Sequence, residues 1–223
     1  MAEGFVFKWY VIETYLPQML DGGMLTARLA VVGIAMALIL GLVIALMRLS
    51  GFRFLSALVD AYIQFFRGIP LFVSLIWLYY GLTMLTGLNI PPVTAGLTCL
   101  AMLHSAYLAE VYRAGIESVS KGQREAALSV GLKRSQVMRY IILPQAVRTV
   151  LPPICNEFTV MLKSISILSL VGVDELVRKT MFATAQTRRP FEMYTFLALI
   201  YIVVVVAFSR LVNLLERRMQ YVK

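Results

Sequence analysis

Long apolar runs separated by short basic segments make up most of this chain. The first run, Leu29–Met47, contains no charged residue, and the run 68–109 is more than twice as long and also carries no formal charge. A membrane-spanning helix needs about 20 apolar residues, so the longer run exceeds one span. The sequence GLNIPP at 87–92 divides it, because tandem prolines disfavour a continuous helix. The pattern therefore predicts spans at 29–47, 69–85 and 93–111.

Two further apolar runs follow in the second half of the chain. Thr149–Val173 is interrupted by Glu157 and Lys163, and Met193–Ser209 ends in a basic tail. These runs bring the prediction to five spans in an all-α, polytopic membrane protein. At the other end of the chain, residues 1–22 carry charges and several aromatics, which is typical of a short helix at the membrane surface. A six-span arrangement with this N-terminal helix inserted is the main alternative.

Composition agrees with a membrane protein. Of the 223 residues, 60% are hydrophobic and 15% are charged, whereas soluble domains average about 45–50% and about 25%. Both cysteines lie in apolar runs, so no disulfide framework is indicated. An ordinary soluble enzyme, a disordered tail and a secreted disulfide scaffold are therefore excluded.

The net charge of +9 is unevenly distributed along the chain. Fourteen of the 21 lysines and arginines lie in three segments, 48–67, 113–148 and 210–223. Five spans place these segments on one side of the membrane, and cytoplasmic loops are enriched in Lys and Arg. We therefore expect an outside N-terminus and a cytoplasmic C-terminus, with the basic residues of the linker 174–192 as the exception. The positive charge then reflects topology, and no nucleic-acid partner is expected.

The segment 118–146, between the third and fourth spans, is too polar to insert into the membrane and contains too little Gly and Ser for a loose linker. A helical pattern covers 123–130, and Gly131 is well placed to end it, because glycine tolerates the left-handed conformation of a helix C-terminus. A second helix is predicted to start near Ser135 as N-cap and to lead toward Pro144. Two short helices bury little of their own apolar surface, so we expect this element to dock against another protein.

The run EAALSVGLKRSQVMRYIILP in this segment resembles the EAA motif of the integral membrane subunits of ATP-binding-cassette (ABC) importers. The Glu-Ala-Ala triplet, the glycine four positions after its second alanine and the later Ile-x-Leu-Pro all match. Segments 65–73, 106–127 and 143–158 are similar to the polar amino acid uptake subfamily, whose transmembrane domain is MetI-like. The matching motif positions are Glu125, Ala126, Ala127, Gly131, Ile141, Leu143 and Pro144.

This resemblance implies an ABC transporter type-1 transmembrane domain over 23–218, with a coupling loop at 114–140 and a cytoplasmic tail at 219–223. Permeases of the subfamily have five-helix cores in the bacterial inner membrane, pair with a second permease as homodimers or heterodimers, and bind two cytoplasmic ATPase subunits. The coupling loop would dock into a groove of the ATPase. An external solute-binding protein would deliver an amino acid or a similar small polar solute, and membrane lipids would surround the helices.

The phosphate-binding string G-x-x-x-x-G-K-[ST] does not occur in the sequence. We therefore expect ATP and Mg²⁺ to be bound by the partner ATPase, and no cofactor or metal by this chain. With one histidine and neither H-E-x-x-H nor C-x-x-C, the chain is also expected to be non-catalytic. Two other functions stay open: an ion-coupled secondary carrier, which needs no ATPase, and a membrane scaffold that transports nothing.

Four polar residues in the predicted spans are candidates for the substrate path, because a charge at the centre of a membrane helix is costly and usually functional. Glu157 and Asn156 would meet the ammonium group of an amino acid, or Glu157 would form a structural pair between helices. On an ideal helix Asn156 and Lys163 share a face, and Glu157 points about 100° away. His104 is either a hydrogen-bonded packing residue or a proton relay. After Lys163 the chain reads Ser-Ile-Ser-Ile where the subfamily usually has Asp-Thr-Ser-Leu, so substrate identity is not carried over.

Glu110, Arg113 and Glu117 form a stripe at i, i+3 and i+7 near the cytoplasmic end of the third span. This stripe predicts an intrahelical ion pair that supports the loop. Arg67 and Pro70, in the sequence RGIP at the start of the second span, are expected to be architectural. Proline is favoured at a helix start, and the arginine would face phosphate headgroups.

Overall fold

The computed structural model describes residues 6–220, including all their side chains except those of 213 and 215–220. Within this part of the chain all regular structure is helical, so the predicted all-α class is confirmed. Most of the predicted tail, 219–223, lies outside the described residues. The helices are α1 Trp9–Leu49, α2 Arg53–Gly68, α3 Leu71–Thr86, α4 Pro92–Glu117, α5 Lys121–Ser129, α6 Arg134–Val171, α7 Leu176–Thr187 and α8 Pro190–Gln220.

Among the described residues, four helical segments are long and apolar enough to cross a membrane: α1, α4, α6 and residues 190–212 of α8. Helices α2 and α3 together make a fifth candidate, a broken span bent by 106°. The bend falls at Ile69 and Pro70, because a proline disfavours the α conformation at the residue before it. The predicted span 69–85 therefore corresponds to α3, which is entered through a sharp bend from α2.

The N-terminal segment and the first span form one helix. α1 is 41 residues long and continues through Pro17. Residues 9–22 are therefore the first part of α1, and the separate interfacial helix expected within residues 1–22 is not what the structure has there. The predicted domain boundary between residues 22 and 23 falls inside this helix.

Packing against α7 and α8 explains why α1 is continuous. Val11 and Met19 of α1 are buried against these helices, so this segment does not lie free at a membrane surface. Gly22 permits the close approach, since a Cβ there would lie 3.0 Å from Leu176 Cα. Four residues later, Thr26 Oγ1 accepts a hydrogen bond from Leu176 N at 3.1 Å.

α4 is the central helix and packs against α1, α2 and α6. Small residues allow the close approaches: a Cβ on Gly41 of α1 would lie 2.9 Å from Leu108 Cβ, and a Cβ on Gly115 of α4 would lie 2.1 Å from Val150 Cγ1 of α6. Membrane helices associate largely through such close packing, because lipid tails are as apolar as the side chains. The main buried cluster comprises Leu29, Ala30, Ile34, Ala37, Leu75, Cys99, Leu100, Leu108, Met161, Leu162, Ile165, Leu168, Val171 and Val173.

In the coupling loop, α5 ends at the glycine that the sequence predicted. Gly131 has φ +88°, and its N–H donates to Leu128 O at 3.0 Å. The following Leu132 N–H donates to Ala127 O at 3.2 Å. This pair of hydrogen bonds is a Schellman motif, which satisfies carbonyl groups at the end of the helix.

The second helix of the loop differs from the prediction. It is not a separate short helix: α6 continues from Arg134 through Pro144 into the fourth span. The N-cap is Lys133, whose N–H donates to Gln136 Oε1 at 2.8 Å, and not Ser135. A π turn over Met138–Ile142 ends two residues before Pro144, because a proline disfavours regular helix in the turn that precedes it.

The coupling loop also has a small apolar core of its own, contrary to the expectation from the sequence. Val119, Ala127, Val137 and Ile142 are buried together, and partly buried Ile116, Leu132 and Ile141 pack against them. The loop is therefore stabilised from within. Other apolar side chains remain on its surface, among them Leu128 and the 79% exposed Val130.

The linker between the fourth and fifth spans contains α7, a helix that the sequence did not predict. The carboxylate of Glu175 accepts hydrogen bonds from Val177 N at 2.9 Å and Arg178 N at 2.8 Å. These bonds satisfy N–H groups of the first turn, which have no partner within the helix. Burial of the Glu175 side chain raises its pKa to about 7, although the two hydrogen bonds act in the opposite direction.

α8 contributes least to the interior. The most apolar 18-residue stretch within 190–212 has no buried residue. Its large apolar side chains, such as Ile202 and Val203, are 57% and 65% exposed. This face is apolar enough for contact with lipid or with another chain.

Candidate functional site

A cavity of about 650 Å³ lies where the bend between α2 and α3 meets α4 and α6. Pockets that bind small molecules are typically of about 300–1,000 Å³. The walls are largely apolar near the bend and polar on α4 and α6. The polar side chains that line it are Arg67, His104, Tyr107, Asn156, Glu157 and Ser164.

His104 and Glu157 join α4 and α6 at this cavity. His104 Nδ1 lies 2.5 Å from Glu157 Oε1, and the imidazole N–H donates to the carboxylate. His104 is 1% exposed. The hydrogen-bonded pair between helices that the sequence suggested for Glu157 is therefore present, and the same pair forms part of the cavity wall. His104 Nε2 is buried and has no hydrogen-bond partner within residues 6–220.

Arg67 of α2 provides a positive charge at the same cavity. It is the penultimate residue of α2, directly before the bend, and its guanidinium carbon lies 5.1 Å from the centre of the Tyr107 ring on α4. A cation–π contact of this kind holds the guanidinium in place. The cavity thus has a cation on one wall and a carboxylate on another.

Asn156 lines the cavity with Glu157, whereas Lys163 does not. Lys163 lies in a separate groove of about 460 Å³ beside Tyr201 of α8. Because successive helical residues are about 100° apart, the cavity face of α6 is centred near Val160, with Glu157 at one edge and Asn156 at the other. Lys163 falls beyond that edge. The structure therefore brings together three of the four predicted substrate-path residues.

The motif residues of the coupling loop have two kinds of environment. Ala127 is buried in the apolar core of the loop, and Ile141 is partly buried beside it. The remaining motif positions present their side chains or backbone at the surface: Glu125, Ala126, Gly131, Leu143 and Pro144 are exposed. The loop therefore combines a packed inner face with an outer face that is free to contact another protein.

A cluster of charged residues, Arg48, Asp60, Glu110, Arg113 and Glu117, lies next to this loop, and we call it the ion cluster. The predicted intrahelical contacts are present: Arg113 Nη2 lies 2.7 Å from Glu110 Oε2, and Arg113 also pairs with Glu117. Arg48 of α1 adds contacts to Glu110 and, at 2.7 Å, to Asp60 of α2. The cluster therefore joins three helices.

Comparison with protein families accounts for this combination of an apolar helical core and an exposed loop. Residues 33–221 match the family described as "Binding-protein-dependent transport system inner membrane component". The chain belongs to this family. It is accordingly a multi-pass inner-membrane protein and a permease subunit of an ABC importer.

Relatives of this permease match it over nearly their whole length. It is 40% identical to the "Probable glutamine ABC transporter permease protein GlnM" of Bacillus subtilis, over 90% of this chain and 93% of that protein. It is 33% identical to the "Glutamine transport system permease protein GlnP" of Escherichia coli, over 96% and 98% of the two chains. The "Arginine transport system permease protein ArtQ" of Bacillus subtilis is 34% identical, over 92% and 94%.

Two solved structures resemble the permease in fold. A chain in the "Crystal structure of an amino acid ABC transporter with histidines" has a TM-score of 0.92 and 40% identity, covering 96% of this chain and 100% of that one. A chain of the MetNI methionine ABC transporter, in inward-facing form, has a TM-score of 0.67 and 18% identity, over 94% and 96%. The second likeness supports the fold alone.

Two arginines of the permease have neighbours that the sequence did not indicate. Arg67 lines the cavity and contacts Tyr107, and Arg48, which the sequence shows only as one of the basic residues of segment 48–67, contacts Glu110. Both make contacts with helices distant in sequence. The position of Arg67 directly before Gly-Ile-Pro was the available hint, because a bend inside the membrane exposes polar groups that must face a cavity or protein. Within the described residues no cluster of three metal-ligating side chains is found.

Proposed function

We propose that this permease carries an amino acid or a similar small zwitterionic solute, and that the cavity at the α2–α3 bend is part of its path. The observation that carries this proposal is that groups of opposite charge line one cavity, Glu157 on α6 and Arg67 on α2. The names of relatives, which include glutamine and arginine permeases, support the same substrate class.

Each end of such a solute finds a complementary group in the cavity. The carboxylate of Glu157 and the amide oxygen of Asn156 accept hydrogen bonds from the ammonium group. Arg67 donates to the carboxylate, for which a planar guanidinium is well suited. His104 holds Glu157 from behind through its Nδ1–H, so that the second carboxylate oxygen is directed to the solute. Lys163 stays a candidate for the path only if a neighbouring chain extends the path to its groove.

The proposed complex contains a second permease, identical or not, two cytoplasmic ATPase subunits with bound ATP and Mg²⁺, and an external solute-binding protein. Five spans are few for enclosing a gated path, which supports pairing of two permeases. The type-1 transmembrane domain covers 23–218, with its coupling loop at 114–140 and its tail at 219–223. The distribution of basic residues supports an outside N-terminus and a cytoplasmic C-terminus.

The exposed part of the EAA motif supports a docking role for the coupling loop. Glu125 and Ala126 lie on the surface of α5, beside the exposed apolar Leu128 and Val130. An apolar patch with one carboxylate suits a groove on a partner protein. The inner core of the loop keeps this surface rigid, so that closure of the ATPase subunits moves the helices rather than deforming the loop.

The test is uptake by proteoliposomes that contain the permease, its ATPase and its binding protein. Glu157→Gln keeps the shape of the side chain and removes its charge. Since a hydrogen bond to a charged group contributes about 1.5–3 kcal/mol, we expect uptake at subsaturating solute to fall about tenfold or more. Glu13→Gln, an exposed glutamate of α1, is the matched control and leaves uptake unchanged.

Equal uptake and equal solute preference in wild type and Glu157→Gln would contradict the proposed path. Uptake that persists in vesicles without the ATPase would indicate an ion-coupled carrier instead. A complex that hydrolyses ATP but moves no amino acid would contradict the assigned substrate class.

A further inference from the structure

The ion cluster concentrates five charges where α1, α2 and α4 meet. Arg48 Nη2 contacts Asp60 Oδ1 at 2.7 Å, and its other terminal nitrogen contacts Glu110 Oε1. The second oxygen of Glu110 accepts hydrogen bonds from Arg113 Nε at 3.1 Å and Nη2 at 2.7 Å. One guanidinium thus bridges carboxylates of two other helices. The side chains of Arg48 and Glu110 are 24% and 23% exposed, and that of Asp60 is 40% exposed.

On one side, the ion cluster is connected to the coupling loop. Arg113 also pairs with Glu117, the last residue of α4. From α5, Arg124 Nη2 donates to Ile116 O at 2.6 Å, in the same final turn of α4. These contacts join α5 to the helix end that holds the cluster.

On the other side, the ion cluster is connected to the cavity through α2. Asp60 lies seven residues, two turns of helix, before Arg67 at the cavity. Between them Tyr62 Oη donates to Met102 O at 3.0 Å and lies 2.8 Å from Ser105 Oγ, on both sides of His104 in α4. Buried Val59 and Ile63 complete the contact between α2 and α4.

We propose that Arg48 is a positioning residue that holds α1, α2 and α4 as one rigid body. Through this body, movement of the coupling loop reaches the cavity wall formed by residues 67–70. The proposal rests on the proposed transport function, to which it adds the route of coupling. Arginine is required at this position because its planar fork contacts two carboxylates at once, whereas a lysine ammonium is a single point charge.

The geometry of the contacts separates the ion cluster from ordinary surface pairs. Arg178 in the first turn of α7, for example, pairs with Asp174 just before that helix, and the two side chains are 45% and 62% exposed. Exposed pairs of that kind add little. Arg48 instead joins side chains that are 12 and 62 positions away in the sequence. Residues 50–52 already connect α1 to α2 beside Arg48, whereas α1 and α4 have no chain connection near this point.

The first experiment tests whether α1, α2 and α4 form one rigid body, and it does not require transport. In the full complex, spin labels are placed on Lys121→Cys of α5 and Gln64→Cys of α2, both exposed positions. Cys99→Ala and Cys155→Ala remove the native thiols, and labelled permease is diluted with unlabelled permease. We expect one narrow distance distribution, the same with and without ATP. In Arg48→Gln it broadens by about 2 Å or more. An equally narrow distribution in that variant overturns the proposal.

The second experiment measures how much solute is taken up per ATP hydrolysed, in the wild-type complex and in variants of the permease. Arg48→Gln is expected to hydrolyse ATP but to take up about fivefold less solute per ATP, a size typical of lost coupling. Arg48→Lys gives an intermediate ratio. Arg53→Gln, an exposed arginine at the start of α2, is the matched control and keeps the wild-type ratio. A wild-type ratio in Arg48→Gln overturns the proposal.

A third experiment uses Asp60→Asn, which removes only the ion pair between Arg48 and α2. Combined with Arg48→Gln, it is expected to lower the ratio no further than Arg48→Gln does alone, because both changes remove the same contact. Losses that multiply would overturn the shared role. If the wild-type complex takes up no amino acid, the proposed function fails, while the spin-label distances still decide the role of Arg48.

Discussion

At the scale of single residues, Gly131 shows how one backbone conformation sets the geometry of the coupling loop. Its φ is +88°, and no atom lies within 4 Å of the place a Cβ would occupy. The requirement for glycine is therefore conformational and not steric. A side chain at this φ is disfavoured by about 1 kcal/mol.

Gly131→Ala is accordingly expected to destabilise the C-terminal end of α5 by about 1 kcal/mol, which shortens amide protection there about fivefold. Hydrogen exchange of the purified permease measures this loss. Gly122→Ala is the control, because Gly122 lies inside α5 with an ordinary helical φ and open space around it. That substitution should raise helix stability, since alanine is the better helix former. Equal protection in Gly131→Ala and wild type would contradict the cap assignment.

The residues that the sequence could and could not indicate differ in the range of their contacts. Gly131 was predicted because its role follows from its own conformation and from neighbours within four positions. Glu157 was found because a carboxylate stands out in an apolar run. The contacts of Arg67 and Arg48 could not be predicted, since their partners, Tyr107 in one case and Glu110 in the other, come near only when distant helices pack.

At the scale of elements, α7 depends on a buried carboxyl at its first turn. Burial raises the pKa of Glu175 from its usual 4.5 to about 7. The folded protein therefore holds this proton more tightly than the unfolded chain does. Stability from this group is fully present below pH 4.5 and is lost as the pH rises to about 7, by at most about 1.4 kcal/mol per pH unit.

Glu175→Gln should remove this pH dependence, because glutamine keeps an acceptor oxygen but does not titrate. The measurement is hydrogen exchange of α7, or thermal unfolding in detergent, across pH 4.5 to 8. Asp174→Asn, a change at the exposed neighbouring carboxyl, should leave the dependence in place. The same pH slope in Glu175→Gln and wild type would show that another group is responsible.

Two elements were mispredicted for physical reasons that α1 and α7 illustrate. The N-terminal part of α1 looks interfacial in sequence because its charges and aromatics match a membrane surface, but α7 covers it. α7 itself was hidden in a basic linker, since its buried Leu176, Thr180 and Ala183 form a stripe too short and too mixed to be recognised. The N-terminal part of α1 and α7 bury apolar residues against each other. Neither helix could therefore be predicted correctly from its own segment of the sequence.

At the scale of the whole molecule, the exposed part of the EAA motif should decide whether the permease binds its ATPase. Glu125→Lys reverses the charge on the outer face of α5 without touching the buried Ala127. We expect the permease to remain folded and in the membrane but to lose co-purification with the ATPase and solute-stimulated hydrolysis. Glu13→Lys, the same change on an exposed position of α1, is the control. Normal co-purification of Glu125→Lys would contradict the docking role.

The contact between Gly115 of α4 and Val150 of α6 is a point about which these two helices can rotate. Here α4 and α6 approach so closely that a Cβ on Gly115 would lie 2.1 Å from Val150 Cγ1. This contact lies at the start of the coupling loop. His104 lies 11 residues from Gly115 along α4, a lever arm of about 16 Å at 1.5 Å per residue. A scissor rotation of about 10° around this point moves the imidazole by about 3 Å, enough to part it from Glu157. With this geometry, a small tilt at the loop would open or close the cavity wall.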